Sequence, residues 1–576
     1  MASETRANAT PYTQEQFVGE KRFCDVVMKG GVTSGIVYPL AMTELATQYR
    51  FKNIGGASAG AIAAGIAAAA EYARDTGGFL RMATIPDEMS QRLFSLFQPQ
   101  PQLGPLFHML LALLGKRPLL VKAGSLAWAI VRGYPVAIVL GAAPAMALLA
   151  ATPGPLYWQT WVAVVALLLL GVAVALVLRL RRALFVDLPA HGYGICTGTR
   201  QRGYKTPALT EWLADKLDEI AGRTQPLTFG DLMGDGEAGP RINLEIMTTN
   251  LTAGRPHRIP FDTNIFMFKE AEWRAIFPPR IFDFILKRSG AVDGHPGYRW
   301  LPRTPDLPVV VAIRMSLSFP GLITAVPLYA CDYSLLDEEA RAVPRRSWFS
   351  DGGICSNFPI HFFDSIWPAW PTFGITLELF QPHHHQGRVF LPVEARQGIL
   401  KNVSSVESLP AFVGAIIDTM QNWHDNLQGT LPGYRDRIVH VRLDENEGGL
   451  NLDMPARLIH KISDYGRTAG NQLREVFDWD AHRWTRYVIS MARLEKTLED
   501  MRRTYHTAAP LDQDLAHALD SWQEPTRYKQ TRAWRETARE RTDSLMREAE
   551  AWGEPPSLRN DDIPKPDVDL RITPRV

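Results

Sequence analysis

Residues 133–178 contain no Asp, Glu, Lys or Arg. Inside that window two apolar runs, Tyr134–Thr152 and Leu156–Leu178, are separated by Pro153-Gly154-Pro155. As helices rising about 1.5 Å per residue they reach roughly 28 and 34 Å, against about 30 Å of bilayer hydrocarbon. A Pro-Gly-Pro break favours a reversal of direction, and Pro144 is better tolerated in a membrane helix than in a soluble one. Tyr157, Trp158 and Trp161 fall where an interfacial aromatic belt is expected. Lys116, Arg117, Lys122 and Arg132 precede the pair, and Arg179, Arg181 and Arg182 follow it. The pattern predicts a transmembrane hairpin of two spans (about 134–152 and 156–178), contacting the bilayer through residues 134–178. The basic flanks place the remainder of the chain and both termini on the cytoplasmic side. The alternative is a helical pair buried in a large soluble protein, which needs protein against every face. The shorter run Pro105–Leu114 suits either an interfacial helix or a core helix.

The chain has 576 residues, which exceeds one compact core. A net charge of +1 and the lack of basic runs interleaved with aromatics set nucleic-acid binding aside. The four cysteines, Cys24, Cys196, Cys331 and Cys355, form no CxxC pair, so neither a disulfide framework nor a zinc site is expected. The N-terminal segment is polar and has no apolar signal region.

Three glycine-rich turns carry the chemistry. Phe51–Gly60 reads as a strand entering a tight turn, with an alanine-rich helix over Ala61–Arg74. The turn contains G-x-S-x-G from Gly56 to Gly60, the pattern that lifts a serine, here Ser58, out of a strand-to-helix turn. There the helix N-terminus and the amide of Ala59 favour a developing anion. Upstream, the strand Phe23–Met28 leads into Lys29-Gly30-Gly31-Val32-Thr33-Ser34-Gly35 and a helix over Ile36–Gln48. That loop lacks the Walker lysine and the dinucleotide glycine spacing, which leaves an oxyanion cradle. Far downstream, Asp351-Gly352-Gly353 ends a short strand.

This order, a glycine loop, then G-x-S-x-G, then D-G-G, resembles the patatin-like phospholipases. The resemblance covers about residues 20–75 and 190–475, and extends to Ala312–Pro327 and the strand Ile242–Thr252. It implies an α/β fold, a three-layer α/β/α sandwich with an inserted transmembrane hairpin and a C-terminal helical extension. It implies a Ser58–Asp351 dyad without histidine, acting on fatty acyl esters of (lyso)phospholipids through an acyl-enzyme. Gly30, Gly31, Val32 and Ala59 would form the oxyanion hole, with Gly35, Gly56, Gly60, Gly352 and Gly353 as motif glycines. Neither metal nor cofactor is required, and membrane lipids are the implied substrate. The family loop is usually G-G-G-x-R-G; here Val32 replaces the third glycine and Ser34 the arginine.

The expected organisation is a polar segment (1–19), a catalytic domain in two parts (20–99 and 189–477) around the hydrophobic insertion (100–188), a charged helical region (478–552) and an extended or disordered tail (553–576). The helical region, over Arg483–Arg503, Leu511–Trp522 and Thr526–Trp552, is a candidate surface for a protein partner. Phe261–Leu286 is rich in aromatics that suit either an acyl groove or a core. His383-His384-His385 suits an exposed loop better than a metal site. Two other readings stand beside the dyad. One is a Ser-His-Asp esterase using His361 or His440, and the other a catalytically silent membrane scaffold.

Overall fold

The computed structural model describes residues 11–568, apart from 32, 115–118, 153–156, 235–240, 337–341, 395–396, 399–405, 509–512, 522–529, 562 and 567. The fold is mixed α/β. Seven strands frame the site: β1 (Arg22–Met28), β2 (Tyr49–Ala57), β3 (Asn243–Asn250), β4 (Val326–Leu336), β5 (Ala342–Ser350), β6 (Thr372–Leu379) and β7 (Ile438–Leu443). They lie in the order β7-β6-β1-β2-β3-β5-β4. Neighbours from β7 to β3 run parallel, whereas β5 is antiparallel to both β3 and β4. Cys24–Met28 at the centre of the sheet is buried at every residue, as expected of a parallel strand covered on both faces.

Helices α1 (Tyr38–Ala46) and α2 (Ala59–Tyr72) follow β1 and β2. The alanines of α2 let it lie close on β2, and α7 (Val309–Ser316) packs beside it. Helix α9 (Ala456–Glu475) crosses α1. Side chains at Gly466 and Gly470 would strike the backbone of Val37 and Ala41. The aromatics of Phe261–Leu286 are mostly core: Phe266, Phe268, Trp273, Phe277 and Phe282 are buried, and Trp273 Nε1 donates to Pro327 O. They do not form an acyl groove.

The hydrophobic insertion comprises α3 (Gly104–Leu114), α4 (Leu119–Gly133), α5 (Pro135–Ala151) and α6 (Trp158–Arg182). Helix α3 is a core helix at one end, burying Leu106 and Phe107, and it pairs with α4. The helical path of α6 runs on to Ala190, 33 residues in all, and its most apolar stretch is almost wholly unburied, with Val164 the exception. Among the described residues it alone is long and apolar enough to cross a membrane unaided. The first predicted run is shorter than expected, a helix of 17 residues bent by 87° from α4. The cause is local. Pro135 pushes Tyr134 out of the helical region, to φ −128° and ψ 48°, and itself starts the new helix at its first position. The Pro-Gly-Pro break lies outside the described residues.

Helices α8 (Leu409–Thr430), α10 (Trp479–Tyr505) and α11 (Arg532–Ala551) complete the chain, with a short helix at Leu515–Ser521. Two flanking segments are packed on the fold. The polar N-terminal segment is partly core, since Tyr12 and Phe17 are buried and Arg74 Nη1 donates to Phe17 O. The described part of the tail is irregular but tied down: Leu558 N–H donates to Glu495 at 2.7 Å, and Arg435 Nη1 donates to Lys565 O at 2.9 Å.

Candidate active site

Strand β2 ends at Ala57 and α2 begins at Ala59, so Ser58 alone makes the turn, at φ 54° and ψ −127°. L-residues rarely occupy that region, and strain of this kind persists only where the surroundings enforce it. Close backbone approach enforces it here. A Cβ at Gly56 would sit 2.5 Å from the carbonyl carbon of Gly60, and one at Gly60 would sit 2.8 Å from that of Met28. The Ser58 N–H donates to Ser316 Oγ at 2.9 Å, at the last residue of α7.

Ser58 Oγ–H donates to Asp351 Oδ2 at 2.7 Å. Asp351 directly follows β5, and its other oxygen accepts from the Gly353 N–H at 2.7 Å. Its own N–H donates to Ser318 O at 3.1 Å. Gly352 passes so close to Met247 that a Cβ would lie 2.7 Å from its carbonyl carbon. Both dyad members are buried. Burial raises the Asp351 carboxyl to about 6, against the opposing pull of the hydrogen bonds from Ser58 and Gly353. The carboxylate is thus ionised at neutral pH and more basic than a surface aspartate.

The glycine loop differs in one respect from the expected oxyanion cradle. The Gly30 N–H donates to Asn357 O at 2.8 Å, so it is committed to the chain and is not a free donor. Val32 lies outside the described residues. Ala59 is the first residue of α2, where an amide has no partner within the helix, and it sits at the positive end of the helix dipole. Gly31 remains beside it in the loop. The loop is clamped at both ends, by Asn357 at Gly30 and by Gly449 O, which accepts from Thr33 N and Oγ1, each at 3.0 Å.

From Ser58 and Asp351 an apolar cavity of about 80 Å³ runs between α2 and its neighbours, past Ile62, Ile66, Met89, Leu93 and Trp212. No histidine lines it among the described residues. His440 is bonded through Nδ1 to Glu378 instead, and His361 meets the Phe362 ring edge-on. Neither candidate histidine is brought to Ser58. His383–His385 lies in a turn with His383 and His384 exposed, and no group of three possible metal ligands exists among the described residues.

Sequence reasoning missed the supports of the dyad. Ser316 and Ser318 lie within Ala312–Pro327, singled out for its resemblance and not for its hydroxyls. The fully buried Arg314 holds this turn in shape. Its guanidinium donates to Ser318 Oγ, Thr197 O and Thr324 O at 2.7, 2.9 and 2.8 Å. Burial pulls its pKa down to about 9, which still leaves it charged at neutral pH.

No family model matches the chain. A solved complex of full-length SpcU and full-length ExoU from the type III secretion system of Pseudomonas aeruginosa shows a weak likeness to the chain. That similarity is 16% in sequence, covers 95% of this chain and 73% of that one, and has a TM-score of 0.23, too low to carry an argument. A far stronger likeness is to the RpoH suppressor of Rhizobium meliloti (strain 1021). The two are 37% identical over 640 aligned positions, covering 96% of this chain and 99% of the relative. At that identity and coverage, the chain belongs to the RpoH suppressor family.

Proposed function

We propose that this protein is a membrane-anchored serine acyl hydrolase of the patatin-like kind, cleaving fatty acyl esters of phospholipids or lysophospholipids. One observation carries the reading: the Ser58 hydroxyl donates at 2.7 Å to a buried, basic Asp351 from a strained elbow that opens on an apolar cavity.

Asp351 takes the Ser58 proton as Oγ attacks the acyl carbonyl. The Ala59 and Gly31 amides receive the oxyanion, and the acyl chain lies along Ile62, Ile66 and Leu93. Collapse expels the alcohol oxygen of the lysolipid or glycerol, which takes the proton back from Asp351 and leaves an acyl-enzyme. Water then attacks the ester, giving its proton to Asp351, and Ser58 recovers it as the fatty acid leaves. The departure at Ser34 from the patatin-like loop is accommodated by packing. Ser34 is buried, and a Cβ at Gly448 would lie 2.9 Å from its Oγ, so residues 448–449 fill the space an arginine would need.

The membrane anchor is the hairpin of α5 and α6, crossing twice with its basic flanks on the cytoplasmic side. The close meeting of the two helices supports it: a Cβ at Gly141 would lie 2.6 Å from Gly171 O. Such small-residue contacts are typical of helices packed in lipid.

The test is fatty acid release from mixed phospholipid vesicles by the full chain in mild detergent, beside Ser58→Ala and Asp351→Asn. Both variants are expected to fold and to lose activity by about 10⁴-fold or more. A wild type inactive on every lipid, or activity that survives Ser58→Ala, sinks the hydrolase reading and leaves the scaffold.

A further inference from the structure

The apolar cavity beside the dyad is blind. Among the described residues that line it, only Gly35, Ile62 and Phe319 are partly exposed. All three mark the end at Ser58: Gly35 lies against Ala59, and Phe319 follows the Ser318 that receives the Asp351 N–H. Ile62 and Ile66 stand about one and two turns along α2 from Ser58, on one side of the helix. From Ser58 to Ile66 the helix rises about 12 Å. One turn further on, at Ala70, α2 is met by the short helix Gly78–Met82, where a Cβ at Gly78 would lie 2.9 Å from Ala70 Cα. The lining contributed there and by the neighbouring helices, Met82, Ile85 and Trp212, is buried. Trp212 is also pinned in place. Its Nε1 donates to Glu88 Oε1 at 3.0 Å, and Lys216 Nζ holds the other oxygen of Glu88 at 2.7 Å.

We propose that this cavity is a ruler for a medium-length acyl chain, about eight carbons long, with Met82 and Trp212 as its floor. The inference deepens the proposed function and rests on it for the bond that is cleaved. Apart from Thr33 and the dyad, the described lining is apolar, and a cavity of that kind takes hydrocarbon in place of ordered water. Its length and its volume agree. A C–C bond of about 1.5 Å advances an extended chain by about 1.3 Å, so a depth of about 12 Å takes roughly nine carbons, the carbonyl carbon at Ser58 included. The volume is about 80 Å³. At about 10–15 Å³ for each water-sized group, it holds roughly five to eight methylenes beyond that carbonyl. A chain of about sixteen carbons overruns both measures, and the buried floor gives it no exit.

The test is kcat/KM of the full chain in mild detergent on p-nitrophenyl esters whose acyl chains run from about four to about sixteen carbons. At about 0.8 kcal/mol per buried methylene, the wild type should gain about fourfold per carbon up to roughly eight carbons, then fall by about tenfold or more at roughly sixteen. Two variants move the floor in opposite directions. Ile66→Phe fills the deep half and should cut the ratio of the eight-carbon to the four-carbon ester by about tenfold or more. Met82→Ala deepens the cavity and should move the optimum about two carbons longer. Comparing variant with wild type at each length cancels partition of the ester into detergent, and Ile66→Phe decides alone if Met82→Ala does not fold. A wild type that gains steadily to about sixteen carbons, or variants that change every ester by the same factor, overturns the ruler. A wild type that turns over no ester of any length defeats the hydrolase reading instead. The cavity is then judged by octan-1-ol, which should raise the melting temperature of the wild type more than that of Ile66→Phe. An equal shift in the two overturns the ruler as well.

Discussion

Ser58 and Asp351 each sit in a state the unfolded chain would avoid, and both departures have measurable consequences. Ser58 occupies a backbone region that is nearly glycine's alone. Ser58→Gly is therefore expected to be more stable than Ser58→Ala by about 1 kcal/mol in urea denaturation, although neither variant reacts. Asp351 has its carboxyl raised to about 6 by burial. Catalysis needs the ionised form, so kcat/KM should rise tenfold per pH unit below about 6 and level off above it. For stability the sign is opposite. A folded-state pKa above the unfolded value means that the neutral carboxyl is favoured in the fold. Its contribution is full below the unfolded pKa of about 4 and is lost as pH rises through about 6. At neutral pH the ionised Asp351 thus weakens the fold by up to about 3 kcal/mol. Asp351→Asn should raise the melting temperature at about pH 8 and change it little at about pH 4. A variant that melts lower at both would show that the carboxylate is stabilised by its contacts more than burial penalises it.

At the scale of elements, the site is a junction of three turns held by side chains from elsewhere. Asp425 on α8 satisfies two backbone amides and a hydroxyl in residues 356–358. Asp425→Ala strands them and is expected to cost about 2–4 kcal/mol. It should also lower kcat on a soluble ester more than it raises KM, with Asp425→Asn restoring part of the loss. A purely structural role would lower stability and leave the kcat of the folded fraction intact. The local pieces of this junction were legible in the sequence. Gly56, Gly60 and Asp351 stand beside the turns they build, so short motifs sufficed to find β2, the elbow and the dyad. The clamps were not legible, because their partners are remote. Gly30 was read as an oxyanion donor because its neighbours are glycines. Its true acceptor, the carbonyl of Asn357, becomes a neighbour only once β6 lies beside β1.

Across the whole molecule, the position of the insertion constrains its relation to a membrane. Strands β1 and β2 precede it, β3 and β5 to β7 follow it, and all lie in one sheet. Both ends of the insertion must therefore lie on the same side of any bilayer, and the number of crossings is even. A buried pair, the alternative open from sequence, is disfavoured because the most apolar stretch of α6, though it meets α5 at Gly141 and Gly171, stays almost wholly unburied. If α6 crosses, a return crossing is required, and α5 is the element available. Its 17 residues reach only about 26 Å, a small mismatch that modest thinning of the bilayer absorbs. The prediction is positional. With Tyr157→Cys and Tyr193→Cys placed separately in the full chain in sealed vesicles, a membrane-impermeant thiol reagent should reach the two positions from opposite faces. A chain whose hairpin only rests in one leaflet would label both from the same face. Leu169→Arg, at the exposed middle of α6, supplies the energetic counterpart. An arginine there costs about 2.5–3.5 kcal/mol in a spanning helix and almost nothing in a helix that faces water. Alkaline extraction should therefore release more of this variant than of the parent chain. If the parent itself is released, the hairpin does not span.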